Sequence, residues 1–472
     1  MKDELRAWSV ETFGHAKLGD ERRLRRLIQM GVRAAERPDG RLSTVFGSAR
    51  EREGAYDFVE NRAIKEEALG KAIHGAAARS GSVHPLVFVP VDGTSINLSD
   101  RAGKKDFGSI GTYKSKATGL KVINALVLSP DGVPLGLGAQ AWWKRPRKKV
   151  SKRHHMRLPV EAKETQHYLR ALNQVSDAFK EHAPRTKPWF QIDRGGDAWA
   201  LIRWLVDHKT LFTIRSAWDR RLAGEGKRYL RKTLRNAPVL YRYQIHVPGR
   251  TGHKEHPDRK ARTATLAVRI ENVSVQLKEK RTDRLHPTNL NAIHIREVRS
   301  VPSGEAPLDW ILLTNAAASS EEEVQKVIYG FTQRWRIEDF HKSWKTGCCN
   351  VENTQLHTSA AVSRWATILA AVAVRVERLK HLSRSSPEEP ASVELSKHEI
   401  AALRLLRTEY GPKNEKQPDH LSIATATRWI ADLGGYTGKS SGGPPGSITI
   451  RRGLEWLQPA AKVLELLKRP PK

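Results

Sequence analysis

The chain has 472 residues, enough for two or three domains and a large core, and its 82 Lys and Arg against 51 Asp and Glu give a formal net charge of +31. Such an excess implies a polyanionic partner, commonly nucleic acid, without separating DNA from RNA. No apolar run approaches the roughly 18–20 residues of a membrane span. The first residues, MKDELRAWSVETF, lack a signal-peptide core, and the only cysteines are the adjacent Cys348 and Cys349, so no zinc spacing and no long-range disulfide exists. These features point to a cytoplasmic, nucleoid-associated bacterial protein with no membrane partner.

In chain order, Met1 to about Arg62 is helical in pattern and places Arg22, Arg23, Arg25 and Arg26 within one or two turns. That face is either solvated or turned to phosphate, and the overall charge favours phosphate. Leu86–Val91 is an apolar run ending in Asp92-Gly93-Thr94-Ser95. A strand near 120–129, a Pro130-Asp131-Gly132 turn and a strand near 135–142 read as a hairpin. The run KRPRKKVSKRHH over 144–155 reads as a loop facing a DNA backbone. A helical pattern over 160–181 precedes a second apolar run, Trp189–Ile192, ending in Asp193-Arg194-Gly195-Gly196-Asp197. Both runs predict strands that stop at an aspartate and turn. The segment 209–306 carries strand-like runs at 239–247, 264–270, 273–277 and 292–298, a β-rich insertion.

Next comes FTQRWRIEDFHKSWK, residues 331–345. Read as one helix, it aligns Arg334, Glu338, Lys342 and Lys345 on a stripe with Phe331 and Trp335, and turns Ile337, Phe340 and Trp344 inward. Alone, the stripe fits a surface helix with i, i+4 pairs as well as a carboxylate that holds a metal ion beside phosphate-binding cations. Asp92 and Asp193 shift the balance, because Mg²⁺ or Mn²⁺ needs several hard oxygen ligands. Strand–Asp, hairpin, helix, strand–Asp and a later helix with a Glu is the order of a ribonuclease-H-like α/β core. After it, 383–390 reads as a linker, 397–409 and 423–433 as helices, and 438–446 as a glycine-rich turn without P-loop spacing. The last helix gathers Leu454, Leu457, Leu464 and Leu467 near one face.

These residues resemble the insertion-sequence-four family of DDE transposases. The family spacing Tyr-x2-Arg-x3-Glu-x6-Lys is met by Phe331, Arg334, Glu338 and Lys345. Leu18-Gly19-Asp20, Gly54-Ala55-Tyr56, Asp92-Gly93-Thr94-Ser95, Trp142-Trp143-Lys144-Arg145-Pro146, Asp193-Arg194, Pro307-Leu308-Asp309-Trp310 and Leu433-Gly434-Gly435 follow the family in order. The resemblance implies a helical DNA-end-binding domain over 1–62, a catalytic domain over 63–379 and a helical dimerisation domain over 380–472. It implies a cut-and-paste transposase that binds terminal inverted repeats as a homodimer, nicks the ends, forms and resolves hairpins, and joins ends to target DNA. Asp92, Asp193 and Glu338 would hold two Mg²⁺ or Mn²⁺ ions, with Asp197 behind them. Arg334, Lys342, Lys345 and Arg215 would meet phosphate, Trp310 would receive a flipped base, and Trp335 would sit by the gap it leaves. Two departures stand out: Phe331 replaces the family Tyr and so lacks a hydroxyl contact, and Gly195 replaces an acidic residue. The competing expectations are a catalytically silent DNA-binding relative that acts as an inhibitor, and a metal-dependent nuclease without strand transfer.

Overall fold

The computed structural model describes residues 4–112, 115–147, 158–252, 258–279, 281–299, 301–413, 415–438 and 443–467. Four helices come first, α1 (Glu4–Phe13), α2 (Glu21–Glu36), α3 (Leu42–Val45) and α4 (Ala49–Glu60). The Asp20 carboxylate starts α2 by accepting the Arg22 amide, and one face of that helix buries Leu27, Ile28, Met30 and Ala34. Then follow α5 (Glu66–Gly81), β1 (Leu86–Asn97), β2 (Gly108–Ser109), β3 (Thr118–Leu128), β4 (Pro134–Trp143), α6 (Thr165–His182) and β5 (Lys187–Ile192). Next are α7 (Trp199–Asp207), β6 (Leu211–Arg215), α8 (Leu230–Asn236), β7 (Val239–Val247), β8 (Arg262–Lys278), β9 (Leu285–Arg299) and β10 (Asp309–Thr314). The chain closes with α9 (Glu321–Thr332), α10 (Arg336–Lys345), α11 (Ser359–Ser385), α12 (Lys397–Tyr410), α13 (Ile423–Leu433) and α14 (Ser447–Leu467).

All ten strands join one sheet. β1 pairs antiparallel with β3 and parallel with β5, β5 pairs parallel with β6, and β4 lies antiparallel on β3. The order β4-β3-β1-β5-β6 is the expected ribonuclease-H-like core. Its strands read as continuous apolar runs because helices cover both faces. Val87, Val89, Val91, Phe190 and Ile192 enter one core layer, and Phe88 and Trp189 enter the other. Beyond β6 the same sheet continues through β10, β9, β8 and β7, all antiparallel.

The sequence reading needs four corrections here. β1 does not stop at Asp92, because antiparallel pairing carries it on from Asp92↔Asn124 to Asn97↔Gly119. Only the parallel ladder ends there, at Val91↔Ile192. The runs at 264–270 and 273–277 are one strand, β8, with unbroken register across Glu271 and Asn272. The insertion is a continuation of the main sheet, and β6 within it belongs to the core. The segment 383–390 is no loose linker: α11 runs to Ser385, and the Ala391 and Ile423 amides donate to Leu421 and Glu389 carbonyls across the turn. Residues 148–155 of the basic loop and 439–442 of the glycine run lie outside the described residues.

The terminal helices share a core layer with the sheet. Phe13, Met30 and Phe46 belong to the same apolar cluster as Trp365 of α11, Trp429 of α13 and Leu457 of α14. Contrary to the sequence reading, among the described residues one helix, α11, is long and apolar enough to cross a membrane by length and composition, but its most apolar window is 83% buried within the protein.

Candidate active site

Alternation along the strands aims the two aspartates. Val91 and Ile192 point into one core layer, so Asp92 and Asp193 turn to the other face, where α10 packs. They stand side by side where parallel pairing between β1 and β5 ends. Asp92 Oδ1 accepts the Gly93 amide at 2.7 Å, and Asp193 Oδ1 accepts the Gly195 amide at 2.7 Å in a short 3-10 turn.

The helix carrying Glu338 differs from the expected single stripe. α9 ends at Thr332, a 3-10 turn spans Gln333–Trp335, and α10 starts afresh at Arg336. The tighter turn draws Arg334 inward, to 8% exposure. Its guanidinium donates to Glu338 Oε1 at 2.8 Å and lies 4.0 Å from Asp92 Oδ2, so one cation spans two carboxylates. Ile337, Phe340 and Trp344 are fully buried, as the pattern predicts.

Burial, then the charge of Asp193 and to a lesser degree of Glu338, pushes the Asp92 carboxyl up to about 6, with Gly93 and Arg334 acting in the opposite direction. The site therefore concentrates negative charge on hard oxygen donors, a set that fits a divalent cation. Among the described residues, no three His, Cys, Asp or Glu side chains converge as a ready metal cluster. The Arg334 guanidinium fills part of that role by bridging Asp92 and Glu338.

Around the carboxylates, Arg215 on β6 lies with its guanidinium 5.9 Å from the Trp310 ring centroid. Burial, with Arg194 and Arg334 nearby, lowers Arg215 to about 10. Trp310 is half-buried, whereas Trp335 is 63% exposed, with Arg334 5.1 Å from its ring centroid. Lys345 pairs with Glu352 at 3.5 Å, and Glu352 also accepts the Asn97 amide at the end of β1. Lys342 is exposed, and Phe331 is half-buried against the core. Asp197 does not join the cluster: it is buried, accepts the Ala217 amide at 2.7 Å and binds Arg220, which fixes the loop after β6 to the loop after β5. On α2, Arg22 and Arg25 stand exposed and pair with Asp20 and Glu21, Arg23 donates to the Leu18 carbonyl, and Arg26 donates to Gln29.

Sequence reasoning passed over two neighbours. Arg194 directly follows Asp193, a signal that was available. Tyr168 on α6 gave none. Its hydroxyl would lie 3.5 Å from a Cβ on Gly93 and 3.6 Å from one on Gly195, between the two aspartate turns. Burial and the charges of Asp92 and Asp193 hold that phenol well above its ordinary range.

Residues 5–64 match the family model described as transposase DNA-binding. Residues 151–375 match the one described as transposase DDE domain. The chain carries a DDE transposase domain. Asp193 and Glu338 lie within the matched DDE span, and Asp92 precedes it. DDE domains work with divalent metal ions, which agrees with an all-oxygen donor set, and the DNA-binding match makes DNA the partner. The two Cys side chains near the DDE helix are buried free thiols.

Proposed function

We propose that this DDE protein is a cut-and-paste transposase of the insertion-sequence-four type. It would bind terminal inverted repeats, nick them, form and resolve hairpins, and transfer the ends into target DNA. The observation that supports the reading is that Asp92 and Asp193 stand side by side at the end of the β1–β5 ladder, with Arg334 linking Asp92 to Glu338 and with Arg215, Trp310 and Trp335 beside them. Asp92, Asp193 and Glu338 are assigned as ligands for two Mg²⁺ or Mn²⁺ ions. Bound there, the ions would activate a water or 3′-hydroxyl and stabilise the leaving oxygen.

The chain's own residues orient the DNA. Arg334 gives up its carboxylates for a phosphate oxygen, where its planar fork suits bidentate contact. Arg215 and Lys345 meet neighbouring phosphates, with Lys342 along the same helix. Trp310 takes a flipped base, since base–aromatic stacking contributes roughly 1–3 kcal/mol. Arg22, Arg23, Arg25 and Arg26 carry end binding. Exposed Trp456, Val463, Leu466 and Leu467 on α14 support a homodimer through the C-terminal helices.

The deciding experiment incubates purified protein with DNA bearing the inverted repeat that flanks its gene, with Mg²⁺ or EDTA, beside Glu338→Ala. Mg²⁺-dependent nicks at the repeat boundary, absent in the variant, are expected, with hairpins and strand-transfer products following. Tight repeat binding without cleavage in Mg²⁺ or in Mn²⁺ would instead establish a silent DNA-binding relative. Cleavage without joining would establish a nuclease.

A further inference from the structure

Beside the carboxylates lies a row of buried polar side chains that DNA chemistry does not use. Asn124 on β3 is the cross-strand partner of both Asp92 and Gln140, so all three share the sheet face against which α10 packs. The Thr367 hydroxyl on α11 donates to Gln140 Oε1 at 2.8 Å, and Gln140 Nε2 donates to Asn124 Oδ1 at 2.9 Å. Asn124 Nδ2 lies 3.0 Å from His341 Nε2 on α10. With its oxygen accepting from Gln140, the Asn124 amide nitrogen donates, so His341 Nε2 accepts and the ring proton sits on Nδ1. All four side chains are buried, and burial first, with Lys345 nearby, lowers His341 to about 3 and keeps it neutral.

The row does something that apolar packing does not. Ile337, Phe340 and Trp344 attach α10 to the sheet, but contact of that kind is non-directional and tolerates small slides and rotations. A buried amide that loses its partner is left unsatisfied, a cost that apolar packing does not impose, so the hydrogen-bonded row admits one rotation of the helix. Glu338 lies three residues before His341 on that helix, close to the same face. Whatever fixes His341 over Asn124 therefore fixes Glu338 relative to Asp92, the residue paired with Asn124 in the next strand.

We propose that Thr367, Gln140, Asn124 and His341 form a positioning relay that holds α10 in the rotation at which Glu338 joins Asp92 and Asp193, and so sets the metal requirement of the site. The proposal rests on reading Glu338 as the third carboxylate. His341 is a positioning residue and touches neither DNA nor ion.

The test compares full-length His341→Gln, which keeps an acceptor near the position of Nε2, with His341→Met, which removes it. Thr367→Val, nearly isosteric, deletes only the donor at the far end. Mn²⁺ binding is read by the electron paramagnetic resonance of free Mn²⁺, beside the Mg²⁺ midpoint for end cleavage and the melting temperature. His341→Met is expected to weaken Mn²⁺ binding and raise the Mg²⁺ midpoint about tenfold, the scale of losing a residue that supports a metal ligand. Saturating metal should restore most of the rate, His341→Gln should stay near the parent, and Thr367→Val should shift the midpoint the same way by less. A purely structural role would lower the melting temperature and the active fraction while leaving both metal constants unmoved, and that result overturns the relay. If His341→Met does not fold, an unshifted midpoint in Thr367→Val overturns it equally. Glu338→Gln run alongside separates the two ideas. If it binds Mn²⁺ like the parent, the carboxylate assignment itself fails. If it loses binding while the relay variants do not, only the relay fails.

Discussion

The two halves of the sheet are built on different rules. In the half made of β4, β3, β1, β5 and β6, both faces are covered, and side-chain alternation fixes which residues reach the face that carries Asp92 and Asp193. In the antiparallel half each face is covered over only part of its length. Along β8, Leu266 and Val268 enter one core layer, and Val273, Val275 and Leu277 enter the other. The doubly covered half can hold like charges close together because the surrounding packing is strong enough to bear the repulsion. The partly covered half is held instead by specific polar ties, chief among them Arg262 with Glu297 and Glu305.

The largest expected effect tests the first half. Asp92→Asn should lower metal-dependent end cleavage by at least about a thousandfold, roughly 4 kcal/mol in the barrier. Because it also removes repulsion with Asp193 and Glu338, its melting temperature should equal or exceed that of the parent. A large fall in melting temperature would mean that Asp92 serves structure first. In the second half, Arg262→Ala takes the guanidinium hydrogen bonds of 2.7 and 2.9 Å from the buried Glu297 carboxylate and leaves it only the Leu308 amide. A loss of about 3 kcal/mol in denaturant-measured stability is expected. A change within error would show that the antiparallel half does not depend on that tie.

Acid sharpens the contrast, because His74 packs beneath the doubly covered half with its Nε2 unpartnered. Burial lowers it from 6.5 to about 3, so the unfolded chain takes the proton first. Its contribution is fully present above pH 6.5 and is lost as pH falls toward 3. His74→Leu should flatten that decline by up to about 1.4 kcal/mol per pH unit, checked by melting curves between pH 7 and 4. An unchanged slope would assign acid sensitivity to other groups. The smallest effect lies at Phe331, at the edge of the site. Phe331→Tyr should strengthen end binding or hairpin yield by about 0.5–1.5 kcal/mol, measured by repeat affinity and product analysis. No change in either would remove any phosphate contact from that position.

Sequence reveals these regions unevenly, and the reasons are physical. Apolar runs such as Leu86–Val91 declare a buried strand, and the aspartate that follows marks where its parallel ladder ends. The strand's passage beyond Asp92 is hidden, because it depends on cross-strand pairing with residues 119–124. Glu271 and Asn272 look like a break in β8, yet they sit where cover passes from one face to the other and need no turn. Arg334 reads as an outward cation, and only the 3-10 turn brings it between carboxylates. Asn124 and His341 are separated by 217 positions, so no local pattern could pair them.

The core layer that joins Phe13 and Met30 to Trp365 and Leu457 bears on synthesis. The first helices leave the ribosome long before α11 and α14 exist, and until then the part of the α2 surface that meets those two helices has no cover. The β8–β9 hairpin, by contrast, contains both partners within 262–299 and can pair as soon as it emerges. The N-terminal helices therefore complete their packing only once α11 and α14 have been made.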